Sequence, residues 1–81
     1  NLFLKTEERD HEALARVCSY LGDTYYFKED YLNAIENHTE ALELYNEING
    51  SMSEMSGWSN YDLGVDYYWN NEFELSVRHI K

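Results

Sequence analysis

Tyr20-Leu21-Gly22-Asp23-Thr24-Tyr25-Tyr26-Phe27 decides how this chain is read, because it returns, altered, as Asp62-Leu63-Gly64-Val65-Asp66-Tyr67-Tyr68-Trp69. The two glycines set the offset at 64 − 22 = 42 residues. Leu, Gly, Tyr and Tyr coincide, and Phe27 is answered by Trp69. The echo continues through Asp30 and Glu72, Tyr31 and Phe73, Ala34 and Ser76, and Ile35 and Val77. Self-similarity at a period of roughly 20–50 residues marks a chain built from stacked supersecondary units, each needing a neighbour to bury its apolar face.

Around both copies the apolar residues keep a helical period. Leu14, Val17, Cys18, Leu21 and Tyr25 fall on one face and predict a helix over 10–28. Residues 1–9 read as a lead segment or the tail of a preceding helix. Lys28-Glu29-Asp30 carries no apolar residue and closes the first helix, with Asp30 placed to cap the next. Tyr31, Ala34, Ile35, His38, Ala41, Leu42 and Tyr45 predict a second helix over 31–48. Asn49-Gly50 is a stop signal, and Ser51 with Glu54 has capping-box spacing. A third helix is expected over 52–69, with Met55, Tyr61 or Asp62, Leu63 and Tyr67 around Gly64. Asn70-Asn71 is expected to end it, and a fourth helix to begin near 72 with Phe73, Val77 and Ile80. Glycine in a helix interior costs about 1 kcal/mol relative to Ala. Two glycines 42 residues apart therefore suggest close approach of a neighbouring helix. Proline is absent, and no stretch alternates with period 2. The fold class is all-α, helix-turn-helix twice, with unit boundaries at 10–50 and 51–81.

Leu21-Gly22, Tyr25, Tyr31, Ala34 and Ala41 together resemble a tetratricopeptide repeat. Leu63-Gly64, Tyr67 and Phe73 match in the second copy, where Ser76 replaces the first Ala. The family period is usually about 34 residues, so the 42-residue spacing is similar to the longer-period arrays of kinesin light chains and cell-polarity adaptors. Two departures stand out: His38 occupies a place usually held by a large aromatic or aliphatic residue, and Asn46 replaces the usual closing proline. The resemblance implies a scaffold in which the first helix of each pair lines a concave groove. Its groove positions, carried over, are Arg16, Ser19, Asp23, Tyr26 and Phe27 from the first copy, and Trp58, Tyr61, Val65, Tyr68 and Trp69 from the second. Spacing supports part of this assignment, because Trp58, Tyr61, Val65, Tyr68 and Trp69 form a second apolar face on one helix. The competing reading has those rings packing against a further repeat or a second copy of the chain.

Charge narrows the partner. Sixteen acidic residues oppose six basic ones in 81, a net charge of −10. Phosphate backbones and anionic membrane surfaces need the opposite sign. A protein or peptide partner of basic or mixed charge fits, although acids also keep a chain with 16% aromatic residues soluble. Cys18 is the lone cysteine, so no internal disulfide forms. No signal segment and no apolar run long enough to span a bilayer is present, and a cytoplasmic setting is expected. The start at Asn1, without Met, and the uncovered apolar face lead to the expectation of an excerpt from a longer array, or of self-association.

Chemistry is poorly represented. His11, His38 and His79 lack metal-ligand spacing, and His38 lies on an apolar face, where a core histidine with a hydrogen-bond partner is expected. Cys18 sits on the buried stripe, so no thiol nucleophile is expected. The glycines do not cluster into a phosphate loop. Asn37-His38-Thr39 and Asn49-Gly50-Ser51 match the glycosylation pattern, but the first lies within a helix and the second reads as a turn. No catalytic residue, metal or cofactor is expected. The function expected is a protein-interaction scaffold. The alternatives are the repeat portion of a peptide-pheromone sensor or transcription regulator, or a structural segment that stacks arrays.

Overall fold

The computed structural model describes the backbone of residues 2–49 and 54–80, and the side chains of residues 9–48 and 54–74. Three helices follow one another: α1, Leu2–Phe27; α2, Tyr31–Asn49; and α3, Glu54–Ile80. No strand occurs among the described residues. The chain is all-α, as the 3.6-residue periodicity predicts.

The junction between α1 and α2 follows the local chemistry of Lys28-Glu29-Asp30. The Glu29 amide donates to the Tyr26 carbonyl at 3.0 Å, and the Asp30 amide to the Tyr25 carbonyl at 2.9 Å. This pair of bonds satisfies carbonyls that the end of a helix leaves open. Glu29 takes the left-handed conformation that the turn requires, with φ of 63°. Asp30 then caps α2: its Oδ1 accepts from the Asn33 amide at 3.4 Å, and its Oδ2 from Asn33 Nδ2 at 2.7 Å. The expected stop at Asn49-Gly50 and the Ser51 capping box fall on or beside residues 50–53, outside those described.

α2 packs against both other helices. Its buried stripe is the predicted one, with Ala34, His38, Ala41 and Tyr45 all enclosed. The apolar core joins Ala41 and Tyr45 to Ala15 and Cys18 of α1, with Leu44 beside them. Small residues on both sides let the helix backbones approach. Cys18 is buried as expected, and burial pushes its thiol pKa up, with Glu40 adding to the effect.

Several expectations on the flanking helices are corrected. On α1, Leu14, Val17 and Leu21 remain about half exposed, because α2 lies over the smaller Ala15, Cys18 and Gly22 instead. On α3, Tyr67 is 57% exposed, and the buried positions are Ser56, Ser59 and Asp66. Small and polar side chains therefore dock α3 onto α2. The Ser56 hydroxyl donates to Asn46 Oδ1, so an asparagine at the place where the resemblance leads one to expect proline ties α2 to α3. The helix predicted to end at Asn70-Asn71 does not end there, and no separate fourth helix begins near 72. α3 runs unbroken to Ile80. Asn is only a modest helix former, and tertiary contact overrides so weak a preference. Phe73, beyond the two asparagines, still meets Tyr31 of α2 edge-on at 6.3 Å. Residues 2–9 likewise belong to α1 and form no separate lead.

The described chain measures 59 × 21 × 12 Å. A slab this thin has little interior, which is why so many of its rings are exposed.

Gly22 and Gly64, alike in sequence, differ in surroundings. A Cβ on Gly22 would come within 2.4 Å of the His38 ring, whereas one on Gly64 would meet nothing within 4 Å. The expectation of close helix approach holds at the first and fails at the second. Gly22→Ala is therefore expected to destabilise by about 1–3 kcal/mol through overpacking. Gly64→Ala should stabilise by about 1 kcal/mol through helix propensity. Urea denaturation of the two variants checks this; equal effects would contradict it.

Candidate functional site

The site forms where the three helices face one buried imidazole. His38, on the inward stripe of α2, is 2% exposed. Its Nδ1 pairs with Oδ2 of Asp66 on α3, which is itself 1% exposed. Its Nε2 lies 3.0 Å from Oδ1 of Asp23 on α1. Asp62, one turn before Asp66 on α3, brings Oδ2 to 4.0 Å from the same Nε2. Gly22 makes room for this ring, since any side chain there would occupy the imidazole's place.

Two ring nitrogens facing two carboxyl groups suit an imidazolium, which donates from both. Burial pushes the His38 pKa down. The hydrogen bond and charge of Asp66, the hydrogen bond of Asp23 and the charge of Asp62 outweigh burial, and the value rises to about 9. At Asp62, burial pushes the pKa up first; His38 opposes, and the charges of Asp23 and Asp66 add to the rise. The cluster thus holds three acidic side chains against one cation. Asp66 and His38 balance each other, while Asp23 and Asp62 face the open side.

That open side is a cavity of about 330 Å³, lined by Asp23, Tyr26 and Phe27 of α1, His38 of α2, and Tyr61, Asp62, Val65 and Asp66 of α3. A second hollow of about 300 Å³ shares Tyr61 and Val65 and adds Gly64, Tyr68 and Trp69. Tyr68 and Trp69 stand edge to face at 5.2 Å, and Tyr26 and Phe27 do the same at 5.5 Å. Phe27 is 81% exposed and Tyr61 67%.

The positions carried over from the repeat resemblance divide into three groups. Asp23, Tyr26, Phe27, Tyr61 and Val65 line the first cavity, and Tyr68 and Trp69 extend it along α3. Arg16 and Ser19 lie apart, in a hollow with Tyr20, Tyr45 and Met55. Arg16 there pairs with Glu12 at 2.9 Å. Trp58 is 60% exposed on α3 and lines neither of the two adjoining cavities. His38 has the partner expected of a core histidine, but its place in a cavity wall was not foreseen. Asp62 and Asp66 were missed as site residues. The available signal was positional: Ser59, Leu63 and Asp66 share a helix face, so an acid lies on the face that docks against a helix carrying a buried histidine.

Asp23, His38 and Asp62 could each offer one ligand atom to a metal ion, all within 4.8 Å of one another. An ion would have to displace the Nε2 proton, and an imidazole that holds its proton to about pH 9 is a poor ligand near neutrality.

The raised pKa has a stability consequence of definite sign. The unfolded imidazole titrates near 6.5 and the folded one near 9. His38 therefore contributes fully below about pH 6.5, and its contribution, about 3 kcal/mol at most, is lost as pH rises through 9. Unfolding free energy measured by urea between pH 6 and pH 10 should fall by this order. Asp66→Asn, which removes the leading cause of the rise, should flatten the profile. A pH-independent wild type would contradict the pairing.

No protein-family model matches the chain, and no solved structure matches it. The chain is similar to a Clustered mitochondria protein homolog from Lodderomyces elongisporus, with 31% identity over 62 residues. That match covers 76% of this chain and 4% of the relative, so the chain spans a small fraction of the relative's length. Among the described residues, no helix is long and apolar enough to cross a membrane.

Proposed function

We propose that the chain is a tetratricopeptide-like interaction module whose cleft between α1 and α3 receives a segment of a partner protein. One observation carries the reading. The cleft joins two cavities lined with exposed rings, Phe27, Tyr61, Tyr68 and Trp69, over an acidic floor. Tyr and Trp concentrate binding energy at protein interfaces, because they bring large contact area with few rotatable bonds. The net charge of −10 favours encounter with a basic or mixed-charge partner. A cytoplasmic, non-catalytic role accords with this reading. Similarity to a much longer relative supports a module within a larger architecture.

Selection of binding peptides from a displayed random library tests the reading. Peptides that bind the wild-type chain should bind Tyr68→Ala/Trp69→Ala at least about tenfold more weakly, the loss typical of aromatic hot spots. Circular dichroism should show the helix content retained, since both rings are about half exposed. Equal binding to the double variant would sink the groove reading, and loss of helix would make these rings core.

A second reading, stacking against another repeat or a second copy, is favoured by the half-exposed Leu14, Val17 and Leu21 on α1. Sedimentation equilibrium separates the two. A monomer across the micromolar range leaves the groove reading standing, whereas a dimer lost on Leu14→Glu/Val17→Glu would assign that edge to assembly.

A further inference from the structure

The cavity at His38 combines two kinds of surface that one ligand chemistry satisfies. Its floor is polar and overcharged. His38 is shared between Asp66 and Asp23, and Asp62 lies 4.0 Å from Nε2, its nearest cationic group among the described residues. The Asp23 and Asp62 side chains are 50% and 34% exposed, so a ligand entering the cavity meets both. Their carboxyl groups lie on different helices, with ligand-type oxygens within 4.8 Å of each other. The cavity walls, by contrast, are the rings of Tyr26, Phe27 and Tyr61 with Val65. Phe27 and Tyr61 present most of their surface to solvent, although apolar rings gain by being covered.

We infer that this cavity is the subsite for an arginine side chain of the bound partner segment, with the guanidinium between Asp23 and Asp62 and its stem against Tyr26, Phe27 and Tyr61. The inference rests on the groove reading and assigns one anchor within it. A guanidinium is planar, donates in a fork that spans two carboxylates, and stacks on aromatic faces; a tetrahedral ammonium offers neither the fork nor the flat face. About 330 Å³ is ample for one such side chain. Charge selects a cation, because the floor carries three acids against one imidazolium. A small metal ion satisfies the carboxylates but leaves the rings uncovered. A neutral apolar side chain covers the rings but leaves three acids facing a single imidazolium.

The probe is N-acetyl-L-arginine N-methylamide, titrated into the full 81-residue chain and followed by amide chemical shifts. Its lysine and citrulline counterparts serve as comparisons. Saturable shifts centred on Asp23, His38, Asp62 and Val65 are expected in the millimolar range for the arginine probe. Lysine should bind more weakly, and the isosteric but uncharged citrulline about tenfold or more weakly, the loss expected for a charge-assisted hydrogen bond. Asp62→Asn and Asp23→Asn should each weaken arginine binding by a similar factor. The two variants are near-isosteric at half-exposed sites, and retained helix by circular dichroism confirms their folding. Citrulline binding as well as arginine, shifts confined to Tyr68 and Trp69, or no saturable shift would each overturn the inference. None of those outcomes touches the groove reading, which stands or falls on the Tyr68→Ala/Trp69→Ala comparison. Zinc chloride, titrated separately, overturns the inference if it saturates the same amides at micromolar concentration and arginine then fails to displace it.

Discussion

Everything in this small fold leans on one buried imidazole. His38 reaches Asp23 of α1 through one nitrogen and Asp66 of α3 through the other, from its place on α2. A buried polar group left unpaired is costly, so all three helices are constrained to the arrangement that satisfies it. Gly22 belongs to the same constraint, because the ring occupies the place of its missing side chain. In a slab 12 Å thick, apolar burial alone gives little discrimination between alternative dockings of α3. The directional pair from His38 to Asp66 fixes one of them.

The constraint also shapes the cleft. Because Asp66 takes up one side of the ring, the other side faces the opening together with Asp23 and Asp62. The interaction that assembles the helices thus places negative charge where an aromatic cavity opens. The contacts that join the helices and the lining of the cavity share the same side chains here. A substitution at His38 would consequently report on stability before it reported on recognition, whereas Asp62, half-buried and farther from the ring, separates the two. The hollow at Tyr68 and Trp69 is free of this coupling, since none of the residues lining it belongs to the His38 cluster.

The 42-residue echo describes the sequence more closely than it describes the packing. Its two glycines match, but only Gly22 is closed over by a neighbour. At the place of Gly64 the same helix pattern lies open, beside Val65 and Tyr68. The difference traces to which helix follows. α2 turns back after Asp30 and lays His38 on Gly22, while α3 continues through Asn70-Asn71 and lays nothing on Gly64 among the described residues. A repeat in sequence fixes the faces available for packing, and the neighbour decides whether they are used.

The sequence by itself determined the all-α class, the end of α1, the Asp30 cap and the buried stripe of α2, because each rests on spacing or side-chain chemistry within one or two turns. Through a family resemblance it marked ten positions as one groove; Asp23, Tyr26, Phe27, Tyr61 and Val65 line one cavity, whereas Arg16, Ser19 and Trp58 do not. It misplaced Leu14, Val17, Leu21 and Tyr67 in the core, since periodicity finds an apolar face without saying which edge of it a neighbour covers. The Asn70-Asn71 break failed because a weak local preference yielded to contact with α2. Only the tertiary structure decided that Asp66 is buried and that Asp62 borders a cavity. Their partner His38 lies 28 residues from Asp66 along the chain, and nothing local in an acidic side chain distinguishes one that meets water from one that meets an imidazole on another helix.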